Sequence, residues 1–336
     1  MTRRSSSFGA SLEGSSIVRA PVSTHSELPG KPGGSTVSLD LKRAVIDFVQ
    51  HASIEISPHD EGLLAAVAGK LPPGTSVYIA YTPDSSLEDV VRVAVKAQAL
   101  GLTAFPHIVA RRLPNERELR EALGELREGG VEHLLLVAGD MERPVGKFSS
   151  TLDVLDTGLL EHAGLKRIGV CGHPEGHRAI GPTALLRALR HKQDFARKTG
   201  IPVHVVTQFG FNSQAVCAWD RHLAAEGISL PVHVGIAGPT PLRKLIGFAM
   251  RCGVGASMLS LVKNLSAMSS LARPAMSPDE VLIGLVRCRA AYEGSRIVQS
   301  HFYSFGGAVT TASWLRTVID GAFVLEPDGE KFIAGA

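Results

Sequence analysis

Past its first few dozen residues, the chain alternates short β-branched runs with longer amphipathic stretches. The runs at 52–57, 76–81, 103–108, 133–138, 167–172, 202–207, 232–236 and 300–304 read as eight strands. Helical periodicity fills most of the intervals. Residues 87–100 stop at Gly101, and 115–128 follow Pro114 and stop at Gly129-Gly130. A helix at 185–198 joins the fifth and sixth strands, and another at 242–252 ends at Gly253. The seventh interval is longer and carries two or three helical patterns. A helix at 39–50 is placed to cap a barrel floor ahead of the first strand. Eight strands separated by helices predict an α/β chain folded as a single (β/α)8 TIM-type barrel over residues 37–330. The competing architecture, a doubly wound open sheet, wants a Gly-rich turn after its first strand, and Ile56-Ser-Pro-His-Asp60 has none.

Composition adds boundaries. Residues 1–36 are rich in Ser, Gly, Pro and Arg without a hydrophobic period, and predict a disordered tail. A transit peptide is the alternative there; Glu13 and weak amphipathicity argue against it. The net charge is +3, of which the tail carries +2, so no field for nucleic acid is predicted. No apolar run reaches the roughly 20 residues needed to span a bilayer, so no membrane is expected. The four cysteines, Cys171, Cys217, Cys252 and Cys288, lie far apart in apolar settings. They predict buried free thiols in a reducing, cytoplasmic setting.

Barrel chemistry gathers at the C-terminal ends of strands. At the first, Glu55 stands between Ile54 and Ile56. A carboxylate at that period points into the barrel or its mouth, where desolvation raises its pKa and makes it a proton donor; an outward, salt-bridged Glu is the alternative. The second strand ends at Thr82 in a polar turn able to hydrogen-bond a ring system. The third ends at His107. The fourth lands on Gly139-Asp140, where a glycine admits a planar ligand to the backbone and Asp140 can tune it. The fifth opens into a loop with His173 and His177. That loop offers no third ligand, so no metal is expected. The sixth supplies Gln208 and Phe209, suited to a heterocycle with paired donors and acceptors. Lys192, on the helix between the fifth and sixth strands, can reach a phosphate, or is simply solvated.

Taken together, the motifs resemble the methylenetetrahydrofolate reductase family from about residue 52 to residue 315. The matching elements are Glu55-Ile-Ser-Pro58, Pro106-His107, Gly139-Asp140, His173-Pro-Glu-Gly-His177, Leu189-Arg-His-Lys192, Thr207-Gln208-Phe-Gly-Phe211, Val234-Gly-Ile-Ala-Gly-Pro239 and His301-Phe-Tyr303. The resemblance implies a reduced folate as partner, NAD(P)H as co-substrate and FAD as cofactor. It implies Glu55 as the acid, and Asp140 near flavin and pterin. Gln208, Phe209 and Tyr303 would be on the folate, with Thr82, His107, Gly139, His173, His177 and Lys192 toward the flavin. Other C1 chemistry on folate without flavin, and a non-catalytic folate-binding subunit, are the alternatives. A homo-oligomer is expected. The chain departs from the family pattern at Ala138, Leu185 and Gly306-Gly307, and lacks an aromatic after Met258. These departures bear on cofactor contacts rather than on the folate residues.

Overall fold

The strand residues sort by parity into two cores. Ile54, Ile56, Val77, Ile79, Ile108, Leu134, Leu136, Ile168, Val170, Val205, Val234 and Phe302 belong to one large buried cluster shared with the helices. Tyr78, Phe105, Leu135 and Val206 form a second, smaller cluster. Successive side chains of a strand point to opposite faces, so two separate cores require a sheet covered outside by helices and closed on itself inside.

The computed structural model describes residues 34–241, 244, 245, 247, 248 and 277–335. Its eight parallel strands are β1 (Ser53–Ile56), β2 (Ser76–Ile79), β3 (Thr103–Val109), β4 (His133–Val137), β5 (Arg167–Gly172), β6 (Val203–Thr207), β7 (Val232–Ala237) and β8 (Ile297–Tyr303). They close in sequence order into a barrel, with β8 returning to β1 in the register Ser53↔His301, Ile54↔Phe302 and Glu55↔Tyr303. The predicted α/β barrel is the observed fold.

Around the ring run α1 (Gly34–Val49), α2 (Leu64–Ala68), α3 (Leu87–Ala99), α4 (Glu116–Glu128), α5 (Thr151–Leu155), α6 (Pro182–Thr199), α7 (Ser213–Ala225), α8 (Asp279–Ala290) and α9 (Ala308–Ile319). Their starts follow local chemistry. Ser86 accepts a hydrogen bond from the Asp89 amide, and the Asp89 carboxylate accepts one from the Ser86 amide, a reciprocal cap on α3. Asn115 caps α4 by accepting from the Glu118 amide at 3.1 Å. The helix α6 starts three residues before its apolar period does, because Pro182 suits a first helical turn. It stops at Gly200, whose φ of 74° only glycine adopts freely.

Several expectations are corrected. The first helix begins at Gly34, inside the predicted tail. It packs on α8, α9 and β8, with the Phe48 carbonyl accepting from the outward Ser300 hydroxyl. The last strand starts at Ile297 rather than 300; Gln299 faces the barrel interior at its floor, which hid the strand period. Between β4 and β5, an interval for which no helix was predicted, lie the short α5 and a 3-10 turn, Leu160–His162. A terminal hairpin, β9 (Phe323–Leu325) with β10 (Phe332–Ala334), was not foreseen. Cys217 on α7 and Cys288 on α8 are joined in a disulfide, not free thiols, while Cys171 is free. Two apolar helix faces bring their sulfurs together, which no sequence spacing announces. Most of the helix expected at 242–252, Met258 and most of residues 1–36 lie outside the described residues; 244, 245, 247 and 248 are helical. Among the described residues, no helix is long and apolar enough to cross a membrane.

Candidate active site

The C-terminal mouth of the barrel is built around Glu55. Its neighbours Ile54 and Ile56 are committed to the outer core, so β1 turns the carboxyl group inward. There its Oε2 lies 3.5 Å from Nε2 of His107 on β3 and 3.8 Å from Nε2 of His301 on β8. His301 is held by a 2.9 Å hydrogen bond between its Nδ1 and the Ser53 hydroxyl, and its ring meets Tyr78 edge-on. Burial pushes the Glu55 pKa up, with His107 opposing. Burial likewise pushes His107 down, and takes His301 down to about 3. All three groups are thus disposed to stay neutral. A carboxyl group whose burial favours its protonated form, beside imidazoles whose burial favours the neutral form, is suited to donate a proton.

The remaining tips line the same rim. Tyr303, in register with Glu55, donates its hydroxyl to the Thr207 carbonyl at 2.9 Å. That bond ties β8, the strand beside β1, to the residue before Gln208. Gln208 is half-buried, its side-chain oxygen accepting from the Phe209 amide at 3.1 Å. Phe209 is buried and packs against Phe211, Tyr303 and Phe305. A side chain at Gly235 would collide with Tyr303 and the Gln208 backbone, so glycine there lets β6, β7 and β8 converge.

The β5 side is more polar. His173 meets His177 edge-to-face at 5.0 Å, and burial holds His173 down to about 4. His177 is exposed, its Nδ1 accepting from the Ala179 amide and so ordering its own loop. Lys192 is only 5% exposed, against the alternative of a solvated helix lysine. Burial lowers its pKa, with the Cys171 thiol opposing, and burial pushes Cys171 up to about 11. Among the described residues no carboxylate lies within ion-pair range of Lys192.

Two candidates stand further out. The Thr82 hydroxyl bonds Ser85 at 3.1 Å and its carbonyl accepts from Arg112, so its turn is tied down locally. Asp140 is exposed beyond Gly139, whose φ is 90°. Glu55, His107, His301, Tyr303 and Gln208 therefore share one mouth, with Lys192 and His173 beside it. The sequence reading did not single out Tyr78 or Phe305. The Phe305 ring joins Phe209, Tyr303 and Phe248 in an aromatic wall, on a backbone φ of 49°. Aromatics just after the last strand were the available signal.

Fold and mouth together define a TIM-type α/β barrel with a buried, protonation-prone carboxyl group at its C-terminal rim. A curated 5,10-methylenetetrahydrofolate reductase from Pectobacterium carotovorum subsp. carotovorum is 28% identical over 181 residues, which are 53% of this chain and 58% of that protein. The similarity supports a distant relationship, and the matched stretch spans under two thirds of that relative's length. No protein-family model matches the chain. A solved dihydropteroate synthase from Thermus thermophilus covers 78% of this chain and 88% of its own, with 15% identity and a TM-score of 0.39, too low to bear on function.

Proposed function

We propose that this chain is an oxidoreductase of the methylenetetrahydrofolate reductase type. It would move a hydride from NAD(P)H to the methylene carbon of 5,10-methylenetetrahydrofolate and release 5-methyltetrahydrofolate. The observation that carries the reading is Glu55, a carboxyl group whose burial favours its protonated form at a mouth it shares with Gln208. Opening the imidazolidine ring frees N10 with negative charge, and a protonated Glu55 supplies the proton there. Deprotonated Glu55 then takes a proton from solvent through the mouth, with His107 and His301 beside it. The Gln208 amide pairs with the donors and acceptors of the pterin, and the Phe209–Tyr303–Phe305 wall covers its faces. Asp140 would favour the cationic iminium form of the substrate.

The chain's fit to FAD rests on Lys192, a buried cation without a carboxylate partner among the described residues, at the rim where a diphosphate would be placed. His107, His173, His177, Gly139 and Thr82 complete the cofactor side in this reading. FAD, when bound, would supply the hydride relay between NAD(P)H and folate. Ala138 and Leu185, where the family pattern expects an arginine and an aspartate, favour a second reading in which hydride passes to folate without flavin. A visible flavin absorbance band in the purified protein separates the two.

The test is folate-dependent NAD(P)H oxidation by wild type and Glu55→Gln. Wild type is expected to turn over, and the variant to keep folate affinity while losing about 10²–10⁴-fold in rate, the usual worth of a positioned acid. Its residual rate should lose the fall seen in wild type as pH rises through the raised Glu55 pKa. Folate binding with no NAD(P)H oxidation in wild type would refute the reductase assignment. An unimpaired variant would remove Glu55 from the chemistry.

A further inference from the structure

The opposite end of the barrel, its N-terminal floor, holds a cavity of about 310 Å³. Arg167, His204, His233, Gln299, Pro231 and Val298 line it. Arg167 opens β5 in register with His133, and Gly169, two residues on, is in register with His204. A side chain at Gly169 would strike Leu135 and the His204 ring, so its absence seats that imidazole inside the wall.

The His204 and His233 rings stack at 4.1 Å and are 2% and 4% exposed. The Nδ1 atom of each is buried and has no hydrogen-bond partner among the described residues. For His204 the chemistry of that atom can be assigned. Its Nε2 lies 2.7 Å from the hydroxyl of Tyr78, a phenol that burial keeps protonated. That buried hydroxyl has no other acceptor among the described residues, so the phenol donates to Nε2 and the single proton of the neutral ring sits on Nδ1. A buried N–H donor is costly without an acceptor. The Arg167 guanidinium acts on His133, His204 and His233 alike, helping to lower the pKa of each. No carboxylate pairs with Arg167 among the described residues. A fixed positive charge and a buried N–H on two residues that line one cavity call for an anionic oxygen, since an Arg fork matches carboxylate and phosphate geometry. A metal cation is the wrong sign, and no group of three ligating side chains among the described residues is arranged for one.

We propose that the barrel floor is a binding site for a small oxyanion, a phosphate or carboxylate group held between Arg167 and the Nδ1–H of His204, with His233 as the stacked wall. It lies away from the Glu55 mouth and stands independently of the folate reading. The test is calorimetric titration of the full chain with inorganic phosphate and, separately, with acetate, in a zwitterionic buffer. Wild type is expected to bind at least one saturably, and the anion it takes identifies the source chemistry. Arg167→Gln, an exposed change, should weaken binding about tenfold or more, and Arg167→Lys should fall between. Lys166→Gln removes a neighbouring cation that pairs with Glu132 at 2.6 Å, and should leave affinity unchanged. The ring proton signal of His204 should shift on saturation in wild type. Absence of saturable binding for both anions, or equal affinity in wild type and Arg167→Gln, overturns the proposal.

Discussion

Lys192 shows how one residue's cost points to its use. A lysine desolvated on a helix's inner face gives up hydration that nothing among the described residues returns as an ion pair. Replacing it with methionine keeps most of the volume and removes the charge. Lys192→Met is therefore expected to unfold at an equal or higher temperature than wild type, yet to retain FAD at least about tenfold less tightly. Thermal denaturation and flavin titration check the two halves. A variant that loses stability and keeps its flavin affinity would make Lys192 a structural residue. Glu55 was legible in the sequence because two isoleucines fix its parity. The burial of Lys192 was not, because α6 carries several basic residues and only its packing against α5 and β6 selects one.

At the scale of elements, the outer contacts of the strands fix how closely each helix approaches. Gly172 closes β5 where α7 crosses. A Cβ there would collide with Val205 and come within 2.9 Å of the Trp219 ring. Gly172→Ala should cost roughly 1–3 kcal/mol, the usual penalty of overpacking, read as a lower urea midpoint. An unchanged midpoint would mean that α7 moves outward freely. The strand order was readable because aliphatic residues at alternate positions leave little choice of register. The inward polar residues were harder to read. His133, His204 and His233 each occupy the parity opposite their aliphatic neighbours, and His301 the parity opposite Phe302, a row present in the sequence of which only His301 was singled out. The Cys217–Cys288 link was illegible, because it depends on α7 and α8 becoming neighbours.

For the whole molecule, the imidazoles inside the barrel set its response to acid. His107, His133, His204, His233 and His301 all have pKa values lowered, chiefly by burial, to about 3 for His233 and His301. Unfolded, each would take its proton near pH 6.5. The folded state therefore binds fewer protons, and stability present above about pH 6.5 is lost as pH falls toward the folded values. The slope is about 1.4 kcal/mol per pH unit for each histidine so held. Glu55 has the opposite sign: its raised pKa lets stability persist at low pH and erodes it as pH rises through the folded value. Urea denaturation at a series of pH values should show a steep fall from about pH 6.5 downward. A flat profile across that span would mean the imidazoles ionise in place.

The seam between β1 and β8 has a consequence for how activity is acquired. Ser53 and His301, which together support Glu55, lie 248 residues apart in the chain. A nascent polypeptide thus exposes its acid early and waits for its support until the last strand has been synthesised and docked. Catalysis of the proposed kind would switch on in a single event, and a chain clipped before β8 would be silent rather than slow.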